Sequence, residues 1–278
     1  MRWSGLGVGV IGLGVALLPA RAQLSARQIV ANNLRVRGGA ARFEAVRSFR
    51  LRGELRLAKP AKVQVWFASA PERIRIEVDL PQGKLAQGWD GTRAWQQLAG
   101  QTASAYVNGA PAKQIEDQAL NGLDLFTAPG VKVALVDRTV WKGKSCYRLR
   151  ITIPATGDQF IQYVDAQSWL VIHEEYPGGV EDIGDYRRTG GLLLAFAYAS
   201  GPPGKPKVVL QREEMVLNPR LPAGLFKKAA RPPFPGRPPA ATPARQRAGG
   251  SGGGRAAAVL RLEATGARSA KGASKLPR

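Results

Sequence analysis

The sequence predicts a mostly β fold of the α+β type, in which a curved antiparallel sheet of about eleven strands wraps around a few short helices. Three observations lead to this prediction: long segments that alternate apolar and polar residues, short turn-rich connections, and little helical spacing. In the segment 48–57, SFRLRGELRL, the alternate residues Phe49, Leu51, Leu55 and Leu57 share one face. This period of two is typical of a strand with one buried face and one solvated face.

Helical patterns occur in two places. Ser25 is suited as an N-cap with Gln28 three residues later, and an apolar stripe at helical spacing follows over 29–36. Gly38-Gly39 interrupts this helix, and a second short helix is expected over 40–47. The alternation is lost again over 111–127, where we expect one or two more short helices.

The remaining alternating segments are each bounded by turn residues. They cover 62–69, 73–80, 84–89 and 92–99 before the second helical region, and 131–140, 145–153, 158–165, 168–176, 180–187, 192–199 and 207–217 after it. Connections of two to six residues that are rich in Gly, Pro, Asp and Asn are typical of hairpins. We therefore expect a single domain over 23–230.

The N-terminus has the pattern of an export signal. Arg2 precedes an apolar stretch over 6–18, and Ala20-Arg21-Ala22 forms a small-x-small cleavage site. The alternative is a membrane anchor, but the apolar stretch is shorter than the ~20 residues that a spanning helix needs. We predict that 1–22 is a cleaved signal peptide and that the mature protein is periplasmic, with peripheral attachment to a membrane as a further option.

The charge is positive and concentrated at the C-terminus. The formal net charge is +21, and the Pro-, Gly- and Ala-rich segment 231–278 contains many Lys and Arg residues but only one acid, Glu263. Few apolar residues are available there to offset the entropy of ordering, so a disordered tail is predicted. The tail is either a solvated extension or a tether to an anionic membrane surface. Export disfavours nucleic acid as the partner.

The residues that catalysis and metal binding usually require are scarce. The chain has one histidine, His173, and one cysteine, Cys146, so neither a His/Cys zinc site nor a catalytic triad is expected. Cys146 is expected to be a small core residue. Adjacent carboxylates such as Glu174-Glu175 and Glu181-Asp182 lie in predicted strands, where neighbouring side chains point to opposite faces. We predict no catalytic residues, no metal and no cofactor.

A series of short motifs resembles a known family over about residues 25–228. In chain order the motifs are Gly38-Gly39, Gly53, Trp89-Asp90-Gly91 with Trp95, Cys146-Tyr147-Arg148-Leu149, Tyr163-Val164-Asp165, Trp169-Leu170-Val171, Asp185-Tyr186-Arg187, Leu217-Asn218 and Leu225-Phe226. Their order and spacing are similar to the outer-membrane lipoprotein-sorting, LolA/LolB-like superfamily. The resemblance implies an eleven-stranded half-barrel around lid helices, with an apolar cavity for acyl chains of lipoproteins or related lipids. It implies neither catalysis nor a cofactor.

The predicted function is therefore that of a monomeric periplasmic carrier, which holds acyl chains without catalysis. The alternative is an envelope structural or sensing module that binds a protein partner while its basic tail contacts an anionic surface. The residues expected to line the apolar cavity are Leu51, Leu55, Val65, Phe67, Ile74, Ile76, Trp89, Leu149 and Ile151.

Overall fold

The computed structural model describes residues 24–56, 62–81, 83–120, 124–128, 130–154, 157–205, 208–228 and Phe234. The predicted signal peptide and nearly all of the predicted tail lie outside these residues. None of the described helices is long and apolar enough to cross a membrane.

The first helix begins and ends where the sequence predicts. Helix α1 spans Ala26–Arg37, and the Ser25 hydroxyl accepts a hydrogen bond from the Gln28 amide in a capping box. The helix ends at Gly38, whose φ of 120° is disfavoured for other residues. Helix α2 (Ala40–Glu44) follows at once. Helix α3 (Gly109–Leu120) and a 3₁₀ turn (Leu125–Thr127) occupy the second predicted helical region.

The strands form one antiparallel sheet. They are β1 (Phe49–Arg56), β2 (Lys62–Ala70), β3 (Arg73–Leu80), β4 (Gly83–Trp89), β5 (Ala94–Gln97), β6 (Ala105–Tyr106), β7 (Lys132–Trp141), β8 (Lys144–Ile153), β9 (Asp158–Asp165), β10 (Val171–Tyr176), β11 (Gly179–Thr189), β12 (Leu192–Gly201) and β13 (Val208–Leu217). Their order is β6-β5-β4-β3-β2-β1-β13-β12-β11-β10-β9-β8-β7. The mostly β, half-barrel prediction is confirmed.

The described residues form thirteen strands, more than the predicted number of about eleven. The sequence does not predict β6 because two residues are too few to show an alternating pattern. The first and last strands, β1 and β13, pair in the middle of the sheet, with a register shift between Arg52 and Gly53. All the other pairs join strands that are consecutive in the sequence, which fits the short connections that the sequence contains.

The inner face of the curled sheet holds two apolar clusters. The first lies on β1–β5, β12 and β13 and includes residues of α1, α2 and α3. The second lies on β7–β10 and includes Ile29 of α1 and Leu125 of the 3₁₀ turn. Val30 and Phe126 pack against both clusters. Helix α1 and the 3₁₀ turn therefore lie across the boundary between the two clusters.

The chain beyond β13 folds back over the outer face of β2–β5. Leu225, Phe226 and Phe234 form a third cluster with Trp66 and Ala68. Phe234, which lies beyond the predicted domain boundary at 230, is only 2% exposed. Its ring centre lies 6.3 Å from that of Trp66. The packed part of the chain thus extends at least to this residue.

A buried ion pair lies beneath this C-terminal segment. The Arg75 side chain pairs with Glu77 and donates a hydrogen bond of 3.1 Å to the Leu225 carbonyl. Burial alone would raise the pKa of Glu77, but the neighbouring Arg75 and Lys84 outweigh it and hold the pKa below its ordinary value. Trp95 is fully buried on the same face and donates to the Phe226 carbonyl at 2.8 Å. These contacts fix the C-terminal segment to the sheet.

Candidate ligand-binding site

The residues predicted to line a cavity lie on the inner face of the sheet, divided between its two clusters. Leu51, Leu55, Val65, Phe67, Ile74 and Ile76 belong to the first cluster, and Trp89 packs against it half-buried. Leu149 and Ile151 belong to the second cluster. The structure therefore places these residues in two groups on either side of α1.

In this conformation the inner side chains pack against one another. The rings of Phe49 and Phe67 stack at 5.2 Å between centroids, and Val65 has no exposed surface. Two pockets found among the described residues lie elsewhere, one beside the C-terminal segment and one at the junction of α1 and α2. A ligand that occupied the inner face would have to displace helix contacts.

Polar side chains interrupt the apolar inner face. The strand register aligns Leu149 with Gln162, Gln162 with Glu174, Glu174 with Glu181, and Glu181 with Ser200. Gln162 donates to Glu174 at 3.0 Å, and the Ser200 hydroxyl donates to Glu181. All four polar residues are buried. This polar row crosses β9 to β12 on the same face as the apolar clusters.

A second polar group fixes the end of α1. Arg37 pairs with Asp124, which also caps the 3₁₀ turn by accepting from the Phe126 amide at 3.0 Å. Arg37 further donates to the Leu193 carbonyl at 3.3 Å. Burial alone would lower the pKa of Arg37, but Asp124 outweighs it and raises the pKa. Asn33, one turn earlier, donates to the Trp169 carbonyl at 2.7 Å. These contacts connect α1 to β12, to the β9–β10 loop and to the 3₁₀ turn.

The buried hydroxyl of Tyr186 and the side chain of Arg212 lie near the Arg37–Asp124 pair. Tyr186 donates to the Val171 carbonyl at 2.7 Å, and burial raises the pKa of Tyr186 well above its usual range. Arg212 donates to the Tyr198 hydroxyl at 3.0 Å and lies 4.4 Å from the centre of that ring. Gly53 is the register partner of Arg212, and a Cβ on Gly53 would lie 2.7 Å from the Gln211 carbonyl oxygen.

The single histidine lies on the outer face. His173 stacks on Trp141 with 3.9 Å between ring centroids, and its Nδ1 lies 2.8 Å from an Asp182 carboxylate oxygen. Tyr163 contacts the same histidine edge-on. Cys146 is fully buried, as predicted, and burial raises the pKa of its thiol. Within the described part of the chain, no group of three or more His, Cys, Asp or Glu residues could hold a metal ion.

The comparisons with known proteins identify the fold. No family model matches the sequence, and no curated protein matches it significantly. A DUF1329 family protein from Desulfovibrio piger is similar in structure, with a TM-score of 0.52 and 12% identity over 74% of this chain and 98% of that one. A LolA superfamily protein from Nitrosomonas europaea has a TM-score of 0.51 and 14% identity over 74% of this chain and 99% of that one. The chain has a LolA-like fold. The fold that the sequence resemblance implies is thereby confirmed.

The sequence does not predict the buried polar residues inside this LolA-like fold. A signal for one of them was present, because Gln162 lies between Phe160 and Val164 in the alternation of β9 and so belongs to their face. The positions of Glu174 and Glu181 then follow from the cross-strand register, which the sequence does not specify. The neighbouring carboxylates do point to opposite faces, since Asp182 contacts His173 outside while Glu181 lies inside.

Proposed function

We propose that this protein is a periplasmic, monomeric, non-catalytic carrier that holds acyl chains of lipoproteins or related lipids against the inner face of its sheet. The observation that carries the proposal is the position of Val30 and Phe126, which pack against both apolar clusters. If α1 and the 3₁₀ turn move away from the sheet, the apolar side chains of both clusters become accessible on the inner face. An acyl chain could then replace the helix contacts.

The energy available for such an exchange is large enough to be useful. Burial of one CH₂ group contributes about 0.8 kcal/mol, so a chain of about fourteen methylenes gains on the order of 10 kcal/mol before the costs of ordering. Part of this gain is offset by the lost contacts of Val30, Phe126 and Leu34. Reversible binding follows, because a helix that returns to the sheet competes for the same surface.

The buried polar row adds a constraint on the ligand. Glu174 and Glu181 lie buried on the inner face, where they accept hydrogen bonds from Gln162 and Ser200. We infer that the polar end of an acylated ligand meets this row, while its chains contact the two clusters. A polar group that reached the row would have to exchange with these existing contacts, which limits how deep the ligand enters.

Photo-crosslinking tests where an acyl chain binds. The full chain is irradiated with a palmitic acid analogue that carries a diazirine, and labelled residues are located by mass spectrometry. We expect labels on inner-face residues such as Leu149 and Phe67, and none on outer-face residues such as Trp66. Ile151→Glu should abolish the labelling because it places a charge in the second cluster. Arg150→Glu, on the exposed side of the same strand, is the matched control and should label normally.

Two outcomes would reject the proposal. Labels confined to the outer face would show that the acyl chain binds without entering the sheet's concavity. A folded protein that takes up no label would favour the alternative of a protein-binding envelope module. Circular dichroism of both variants separates loss of binding from loss of fold.

A further inference from the structure

The pocket at the junction of α1 and α2 lies outside the proposed acyl site. This corner pocket has a volume of about 640 Å³ and is formed where α1 and α2 meet, beside the end of β11. Ala31, Leu34 and Val36 of α1 line its apolar part. Leu34 also belongs to the first apolar cluster, so the pocket borders this cluster.

Three exposed arginines contribute to the lining of the corner pocket. They are Arg35 of α1, Arg42 of α2 and Arg188 of β11, and none of the described residues that line the pocket carries a carboxylate. Arg35 donates to the Asn32 side chain at 3.2 Å, and Arg42 donates to the Gly38 carbonyl at 3.1 Å. None of the three forms an ion pair with a described residue, and a guanidinium has five N–H donors. Most of their donors therefore remain available to an anionic ligand.

We propose that the corner pocket docks the protein on an anionic phospholipid bilayer. The three arginines bind the phosphates of the lipid headgroups, and the apolar part of the pocket contacts the boundary between headgroups and acyl chains. Guanidinium groups bind phosphate through paired hydrogen bonds, and no carboxylate among the described lining residues competes for them. The net charge of +21 attracts the whole chain to such a surface. This docking site goes beyond the proposed function and does not depend on it, since a bilayer can bind here while the inner face stays closed.

Vesicle binding tests the proposal with the full chain. The triple variant R35Q/R42Q/R188Q is compared with K132Q/R138Q/R150Q, which removes the same charge from exposed positions of β7 and β8. Both variants keep the basic tail over 231–278, so its contribution to vesicle binding is equal in each. On phosphatidylcholine vesicles with about 30% phosphatidylglycerol, the corner variant should bind roughly tenfold to hundredfold more weakly than wild type. The control variant should lose less than about threefold.

Three results would overturn the docking site. Equal losses in the two triple variants would show that attraction depends on total charge alone. Equal binding of wild type to pure phosphatidylcholine vesicles would show that phosphatidylglycerol is not recognised. If inorganic phosphate raises the melting temperature of wild type but not of the corner variant, while the two proteins bind the vesicles equally, the pocket binds free phosphate and the membrane assignment is wrong.

Discussion

The C-terminal segment that crosses the outer face should contribute measurably to stability, and Phe234 is the residue that tests this. Its ring is 2% exposed, contacts Trp66 and lies 4.6 Å from the Arg75 guanidinium. Burial of a phenylalanine side chain contributes about 1.5–3 kcal/mol, and a cation–π contact adds about 0.5–1 kcal/mol. Phe234→Ala should therefore lower the free energy of unfolding by roughly 2–4 kcal/mol.

Thermal unfolding followed by circular dichroism measures this effect. In a domain of about 200 residues each kcal/mol changes the melting temperature by about 2–4 °C, so a decrease of roughly 5–15 °C is expected. A chain truncated after Ala230 should show the same decrease, whereas one truncated after Pro238 keeps Phe234 and should melt near the full chain. If truncation after Ala230 leaves the melting temperature unchanged, the segment contributes no packing energy and the reasoning is wrong.

Three further perturbations test the sheet itself. Val65→Glu should unfold the domain or lower the free energy of unfolding in urea by several kcal/mol, because a charge replaces a fully buried side chain. Its control, Ala134→Glu at an exposed strand position, should change this free energy little. The lowered pKa of Glu77 stabilises the fold above its unfolded pKa of about 4.3, and this contribution is lost as the pH falls through the folded pKa. Glu77→Gln should therefore flatten the acid side of the stability–pH curve; an unchanged curve would contradict the ion pair. Gly88→Ala should lower the melting temperature, since its Cβ would lie 2.5 Å from a carbon of the Trp95 indole. In Gly184→Ala the added Cβ would meet no atom within 4 Å, so the melting temperature should stay near that of wild type.

The strands and the order of the elements could be predicted because the signals are local. Alternation of apolar and polar residues marks β1 and β8, and the pair Gly38-Gly39 marks the end of α1. Strand β6 has no such signal in two residues. Its pairing with β5 depends on the sheet around it rather than on its own sequence.

The buried polar contacts could not be predicted, because each joins residues that are distant in the sequence. Arg37 and Asp124 are 87 positions apart. The sequence around each of them does not indicate whether its charge is buried or exposed. The sequence places Phe234 in the predicted tail because its Pro-rich surroundings resemble disordered sequence. Its partner surface around Trp66 exists only after β2 and β3 have paired.

Occupancy of the inner face by an acyl chain is the central claim, and native mass spectrometry measures it most directly. The full chain is purified from cells without delipidation, and its mass is compared before and after organic extraction. We expect an added mass that matches an acyl-bearing lipid, that extraction removes, and that is absent from Ile151→Glu but present in Arg150→Glu. A folded wild-type protein without any added mass, and without uptake when it is mixed with lipid vesicles, would contradict the claim.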